Sequence, residues 1–172
     1  MPGSKLGLLK LETLARLEET ALSTWMRESG FAFFSALTVH SLAMAFVVGI
    51  NFAIALRLIG CAPRIEIAAL SRFYSLHWYA AAFIFISGMA LLLAYPAKAL
   101  TNPVFYLKVA ALTLGLLISR HFQATFFDKP KVTNDRQTIN LAYVSVLLWV
   151  VTLTAGRFLA YTHNTLLASR YF

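Results

Sequence analysis

The sequence predicts an all-α polytopic membrane protein: a four-transmembrane-helix antiparallel bundle over residues 29–172, preceded by an amphipathic interfacial arm over residues 1–28. Three observations predict it. The 172 residues are 59% hydrophobic and 13% charged, with a mean hydropathy of +0.70, so a soluble domain of this length would expose too much apolar surface. Four stretches are long and apolar enough to cross a bilayer, which takes about 20 residues. Their connections are short, so neighbouring helices run antiparallel.

The arm comes first. Leu6, Leu9, Leu14, Leu17 and Ala21 recur at roughly helical spacing, with Lys10, Glu12, Arg16 and Glu19 between them. Glu12 and Arg16 form an i,i+4 pair. The pattern reads as a helix lying on the membrane and ending at the anchor Trp25. It lacks the continuous apolar region of a signal peptide.

The spans follow as Phe31–Leu56, Phe73–Tyr95, Pro103–Phe122 and Ile139–Tyr161. Cys61-Ala62-Pro63 closes the first and Tyr95-Pro96 the second. Thr101-Asn102-Pro103 offers the third a polar cap followed by Pro near its first position, and Phe127-Asp128-Lys129-Pro130 closes it. In the first span Ser41, Ala45, Gly49 and Ala53 form a ridge of small residues suited to close helix approach, and Ala81 and Gly88 repeat the device in the second.

The net charge of +8 places Lys and Arg at headgroups and cytoplasmic loops rather than on a nucleic-acid-binding face. Arg57, Arg64 and Arg72 occupy the first loop, Lys129, Lys131 and Arg136 the third, and only Lys98 the second. The positive-inside rule therefore puts both termini outside, in the periplasm if the membrane is a bacterial inner membrane. Cys61 is the single cysteine, which excludes an intrachain disulfide and a cysteine-based metal site. No hydrolase triad, phosphate loop or paired carboxylate is present.

Charge inside hydrocarbon is costly and marks function. His40 lies about ten residues into the first span and Lys108 about five into the third, while Arg157 stands one turn before Tyr161 at the end of the fourth. At 1.5 Å per residue all three fall within roughly 15 Å of the outer boundary. Tyr161 shares the face of Arg157, and Asn51 shares that of His40. A cationic pocket in the outer half of the bundle is the expectation. Lys108 and Arg157 could instead snorkel to the headgroups, which His40 cannot do.

Two further sets are chemically meaningful. His77 and His121 stand at equal depth near the inner face, as two axial imidazoles of haem b would. His40, Met44 and Met89 offer the imidazole and thioethers that suit Cu(I), although methionine is also a common core filler. His163 is expected in solvent.

The order His40, Gly49, Ala55-Leu56-Arg57-Leu58-Ile59-Gly60, Ser87-Gly88, Asn102-Pro103-Val104-Phe105 with Lys108, and Gly156-Arg157-Phe158-Leu159-Ala160-Tyr161 resembles a family of uncharacterised bacterial four-helix inner-membrane proteins. The likeness spans all four helices, with the closing GR-x-x-AY its most specific element. It matches His40, Lys108 and Arg157 to the family pattern, whereas Ala55 stands where the family usually has Asp. More distantly, the His of the first helix with the Lys of the third is similar to the copper resistance protein D family and to HemJ-type protoporphyrinogen oxidases. That resemblance implies haem.

Three functions are expected to compete. One is a membrane redox or electron-transport protein holding haem b or a quinone with His40, Lys108, Arg157 and Tyr161. The second is a non-enzymatic subunit or scaffold, associated with another membrane or periplasmic protein or with its own copies. The third is copper handling.

Overall fold

The computed structural model describes residues 5–128, 136–162 and 166–168. Lys129, Pro130, Lys131 and His163, which carried part of the loop and solvent assignments, lie outside the described residues. The described residues are largely helical and include no strand. Its helices are α1 (Lys5–Glu18), α2 (Ala21–Glu28), α3 (Gly30–Ile59), α4 (Ile67–Leu70), α5 (Phe73–Ala94), α6 (Pro96–Leu100), α7 (Pro103–Gln123) and α8 (Arg136–Tyr161). Four helices are long and apolar enough to cross a membrane, so the chain is a multi-pass, four-helix-bundle membrane protein.

Local chemistry sets the ends of these helices. The Ser29 side chain accepts from Ala32 N at the start of α3. Gly60, at φ 95°, closes α3 in the left-handed region, and the N–H of Cys61 reaches back to Leu56 O at 2.9 Å. Glycine takes that conformation without steric cost. Asn102 caps α7 as expected: its Oδ1 accepts from Val104 N at 3.0 Å, with Pro103 in the first position. At the other end α7 runs into a π-turn, Ala124–Asp128.

The arm is two helices rather than one. The break falls at Thr20, whose hydroxyl donates to Leu17 O at 2.7 Å and accepts from Ser23 N at 3.4 Å. Threonine competes for helix-end hydrogen bonds in this way, so a second N-cap forms inside the leucine pattern. Arg16 and Glu12 pair at 2.9 Å on the exposed side of α1. The opposite side packs onto the bundle, where Ala15 meets Ala97 and Ala168 and Met26 meets Ala32 and Ala94. Buried Glu18 accepts from Ala97 N at 3.4 Å.

Arg27 fastens the arm. Its guanidinium donates to Ser23 Oγ at 2.7 Å, Ala94 O at 3.3 Å and Glu18 O at 2.8 Å, gathering the end of α1, the middle of α2 and the end of α5. The end of the bundle carrying these helices is the arm end. The other is the distal end.

Two apolar cores lie along the bundle axis. The middle one joins Met44, Val47, Val48, Ala80, Ile84 and Trp149. The distal one joins Ile54, Ala55, Leu58, Tyr74, Phe122 and Ala142. The ridge on α3 does not serve packing within the chain: Ser41, Ala45 and Gly49 are exposed, and nothing lies within 4 Å of a Cβ placed on Gly49. In lipid an outward face needs only to be apolar or small, so the ridge fits either side of the helix.

Candidate functional site

Polar residues of the spans gather in two layers, each linking α3, α5 and α7. The first lies towards the arm end. Lys108 Nζ stands 3.3 Å from His40 Nε2, and His40 Nδ1 stands 3.0 Å from Ser87 Oγ. Ser87 lies within reach of the carbonyls of Phe83 and Ile84 in its own helix. These acceptors orient the chain of bonds. Ser87 donates to its helix and accepts from His40 Nδ1–H, so His40 Nε2 is left to accept from Lys108. Two glycines allow the approach. A Cβ on Gly88 would lie 3.4 Å from His40 Cε1, and one on Gly156 would lie 3.6 Å from Lys108 Cε.

The second layer lies towards the distal end. Asn51 Nδ2 donates to Val47 O at 2.8 Å and to His77 Nε2 at 2.9 Å. The Val47 carbonyl fixes which way the amide points, so His77 accepts at Nε2 and carries its proton on Nδ1. The Ser119 hydroxyl reaches Asn51 Oδ1 and, at 2.8 Å, Gly115 O. Tyr74 closes the layer by donating to Ser119 O at 3.2 Å. Trp78 stacks edge-on against His77 and donates to Gln123 Oε1 at 2.8 Å.

The layers share one register. His40 meets Lys108 and Asn51 meets Ser119 across the same sequence separation of 68, because α3 and α7 run parallel. Antiparallel α8 completes both layers. Gly156 faces Lys108 and Trp149 faces Gly115, so one further turn in the same direction brings Ser145 level with Ser119. Eleven residues, three turns or about 16 Å, separate the layers along α3.

Among the described residues three buried polar atoms have no partner: His77 Nδ1, Ser145 Oγ and Trp149 Nε1. Leaving such a group unsatisfied costs about 1–3 kcal/mol.

The remaining expected residues stand apart. Arg157 is exposed, about 100° round α8 from Gly156, and Tyr161 is 77% exposed. The expected four-residue pocket is therefore a His40–Lys108 pair completed by Ser87. His121 is exposed, lining a shallow apolar groove between α7 and α8 with Leu117, Ile118 and Val144. Two residues before it, Ser119 faces the interior, so His121 points away from buried His77 and the two are not brought together. Met44 is buried in the middle core one turn from His40, while Met89 is 43% exposed, so the thioethers do not converge. Among the described residues no group of three or more His, Cys, Asp or Glu could hold a metal ion.

Comparison with family models, curated proteins and solved structures gave no match. The chemistry of the site therefore stands on its geometry.

In this arrangement neither His40 nor His77 presents an unengaged ring lone pair to the iron of haem b. An iron ligand needs a ring nitrogen with its lone pair free. His40 Nε2 accepts from Lys108 and His77 Nε2 from Asn51, while each Nδ1 carries the proton. Ser87, Asn51, His77 and Ser119 gave weak signals in the sequence. Serine and asparagine recur in membrane helices for packing alone, and only the spacing of Asn51 from His40 pointed to a shared face.

Proposed function

We propose that the chain is a membrane-embedded redox protein that binds the oxygen-bearing head group of a lipid-soluble quinone at Lys108 and His40. One observation carries this reading. Lys108 is held among four apolar helices whose described spans contain no Asp or Glu, with the neutral ring of His40 as its hydrogen-bond partner. An ammonium has three donors and His40 takes one. A charge so placed calls for an oxygen acceptor, and a quinone carbonyl supplies one from within the membrane phase. His40 orients the ammonium through that bond, and Gly88 and Gly156 lie beside the pair. Arg157 and Tyr161 belong to the lipid boundary at the same end. The loop charges favour an orientation with the distal end cytoplasmic, which in a bacterial inner membrane puts the arm end on the periplasmic side.

A titration in nanodiscs tests this reading. Adding a short-tailed benzoquinone or naphthoquinone should quench tryptophan fluorescence saturably, and Lys108→Met should weaken binding at least tenfold. Quenching that never saturates, or that Lys108→Met leaves unchanged, would sink the reading.

A second reading, a non-enzymatic subunit or scaffold, is favoured by the outward ridge of Ser41, Ala45 and Gly49. Small residues on a lipid-facing surface suit close contact with a helix of another chain or copy. The dispersal of Met44 and Met89 leaves copper handling with His40 alone.

A further inference from the structure

Along α8, Ser145, Trp149 and Thr152 are buried without any exposed surface. They succeed one another at four- and three-residue steps on one face, and Gly156 follows on that face against Lys108. A stripe buried among apolar helices would ordinarily be Leu, Ile or Ala. This one presents a hydroxyl, an indole N–H and a second hydroxyl, and then a glycine beside Lys108 of α7.

The hydrogen bonding along the stripe is incomplete. Ser145 Oγ and Trp149 Nε1 have no partner, nor does His77 Nδ1 in the distal layer. Thr152 donates to Leu148 O at 2.8 Å, which leaves its lone pairs to accept. In hydrocarbon no bulk solvent reaches such groups, so an internal partner must satisfy them.

The spacing identifies that partner. Successive steps rise about 6, 4.5 and 6 Å at 1.5 Å per residue. A donor and an acceptor bridged by one water lie about 4.5–5.5 Å apart, the upper figure being twice a hydrogen-bond length. The steps are therefore of the size that a single bridging water spans.

We propose that the buried face of α8 binds a file of water molecules joining the distal layer at His77 to Lys108. Each member has named neighbours: His77 Nδ1–H and Ser145 Oγ at the distal end, Trp149 Nε1–H in the middle, Thr152 Oγ1 next, and Lys108 at the arm end. Such a file passes an excess proton by hops, each water accepting one proton as it releases another. The bundle thereby connects its two imidazole layers across the apolar core that divides them. The file rests on the three unpartnered atoms and does not depend on quinone binding, because none of them touches Lys108 or His40.

The test is deuterium exchange at the indole N–H groups of full-length protein in nanodiscs, followed by nitrogen-15 NMR. The chain has three tryptophans, and Trp149→Phe assigns the signal. The Trp149 N–H should exchange within a hundredfold of that of exposed Trp25. Ser145→Val, and Thr152→Val as an independent second variant, should slow it at least tenfold. Protection of Trp149 more than a hundredfold beyond Trp25 in the unaltered protein would overturn the proposal. So would exchange unchanged in both variants while the other two indoles keep their rates.

Discussion

The indole of Trp149 lies so close to Gly115 that a Cβ there would meet Cε2 and Cζ2 at 3.1 Å. This contact holds α7 close to α8 at mid-bundle, between the two polar layers. Gly115→Ala should therefore destabilise the bundle by about 1–3 kcal/mol, the range for overpacking a filled core. Gly49→Ala is the control, since nothing lies within 4 Å of its added methyl. It should be neutral, or stabilising by up to about 1 kcal/mol through helix propensity. Unfolding in mixed micelles, titrated with denaturing detergent, measures both.

Asn51 and His77 should behave as a coupled pair. Asn51→Leu leaves His77 Nε2 without its donor, a loss of about 1–3 kcal/mol, whereas the Ser119 hydroxyl keeps Gly115 O as its acceptor. Replacing both residues, Asn51→Leu with His77→Phe, removes one donor together with its acceptor. The double variant should thus cost less than the sum of the singles, with a coupling of about 0.6–1.7 kcal/mol as measured between membrane helices. A double-mutant cycle in the same micelles reads that difference, and strict additivity would refute it.

Arg27 should control the arm without controlling the bundle. It is the one side chain that donates to the end of α1, to α2 and to the end of α5. Arg27→Ala should raise backbone hydrogen exchange over residues 11–28 at least tenfold and leave α5 and α7 unchanged, since loss of hydrogen bonds from a charged group costs about 1.5–3 kcal/mol. Exchange mass spectrometry resolves the two regions.

Much of the fold was legible in the sequence because the signals were local. Apolar length located the four spans to within three residues, and Asn102-Pro103 marked the start of α7. The depth count brought His40 and Lys108 to the same level because depth depends only on position along a helix. It also brought in Arg157, His121 and Met89, which share a depth and not a direction. The arm illustrates a similar limit. Leucine spacing predicted one helix, but a threonine hydroxyl at residue 20 was enough to end it and begin another.

By itself the sequence determined what runs along the membrane normal: how many helices cross, where each begins and ends, and at what depth each polar residue sits. Only the tertiary structure decided how each helix is turned about its axis. That rotation joined His40 to Lys108 and left Arg157 outside, joined His77 to Asn51 and left His121 exposed, and sent Ser41, Ala45 and Gly49 outward. The reason is physical. Lipid and protein interior are both apolar, so a crossing helix such as α3 or α5 carries almost no hydrophobic asymmetry to say which side faces in. Its rotation is chosen by contacts such as Trp149 on Gly115 and by hydrogen bonds between helices, and these exist only once the helices have met.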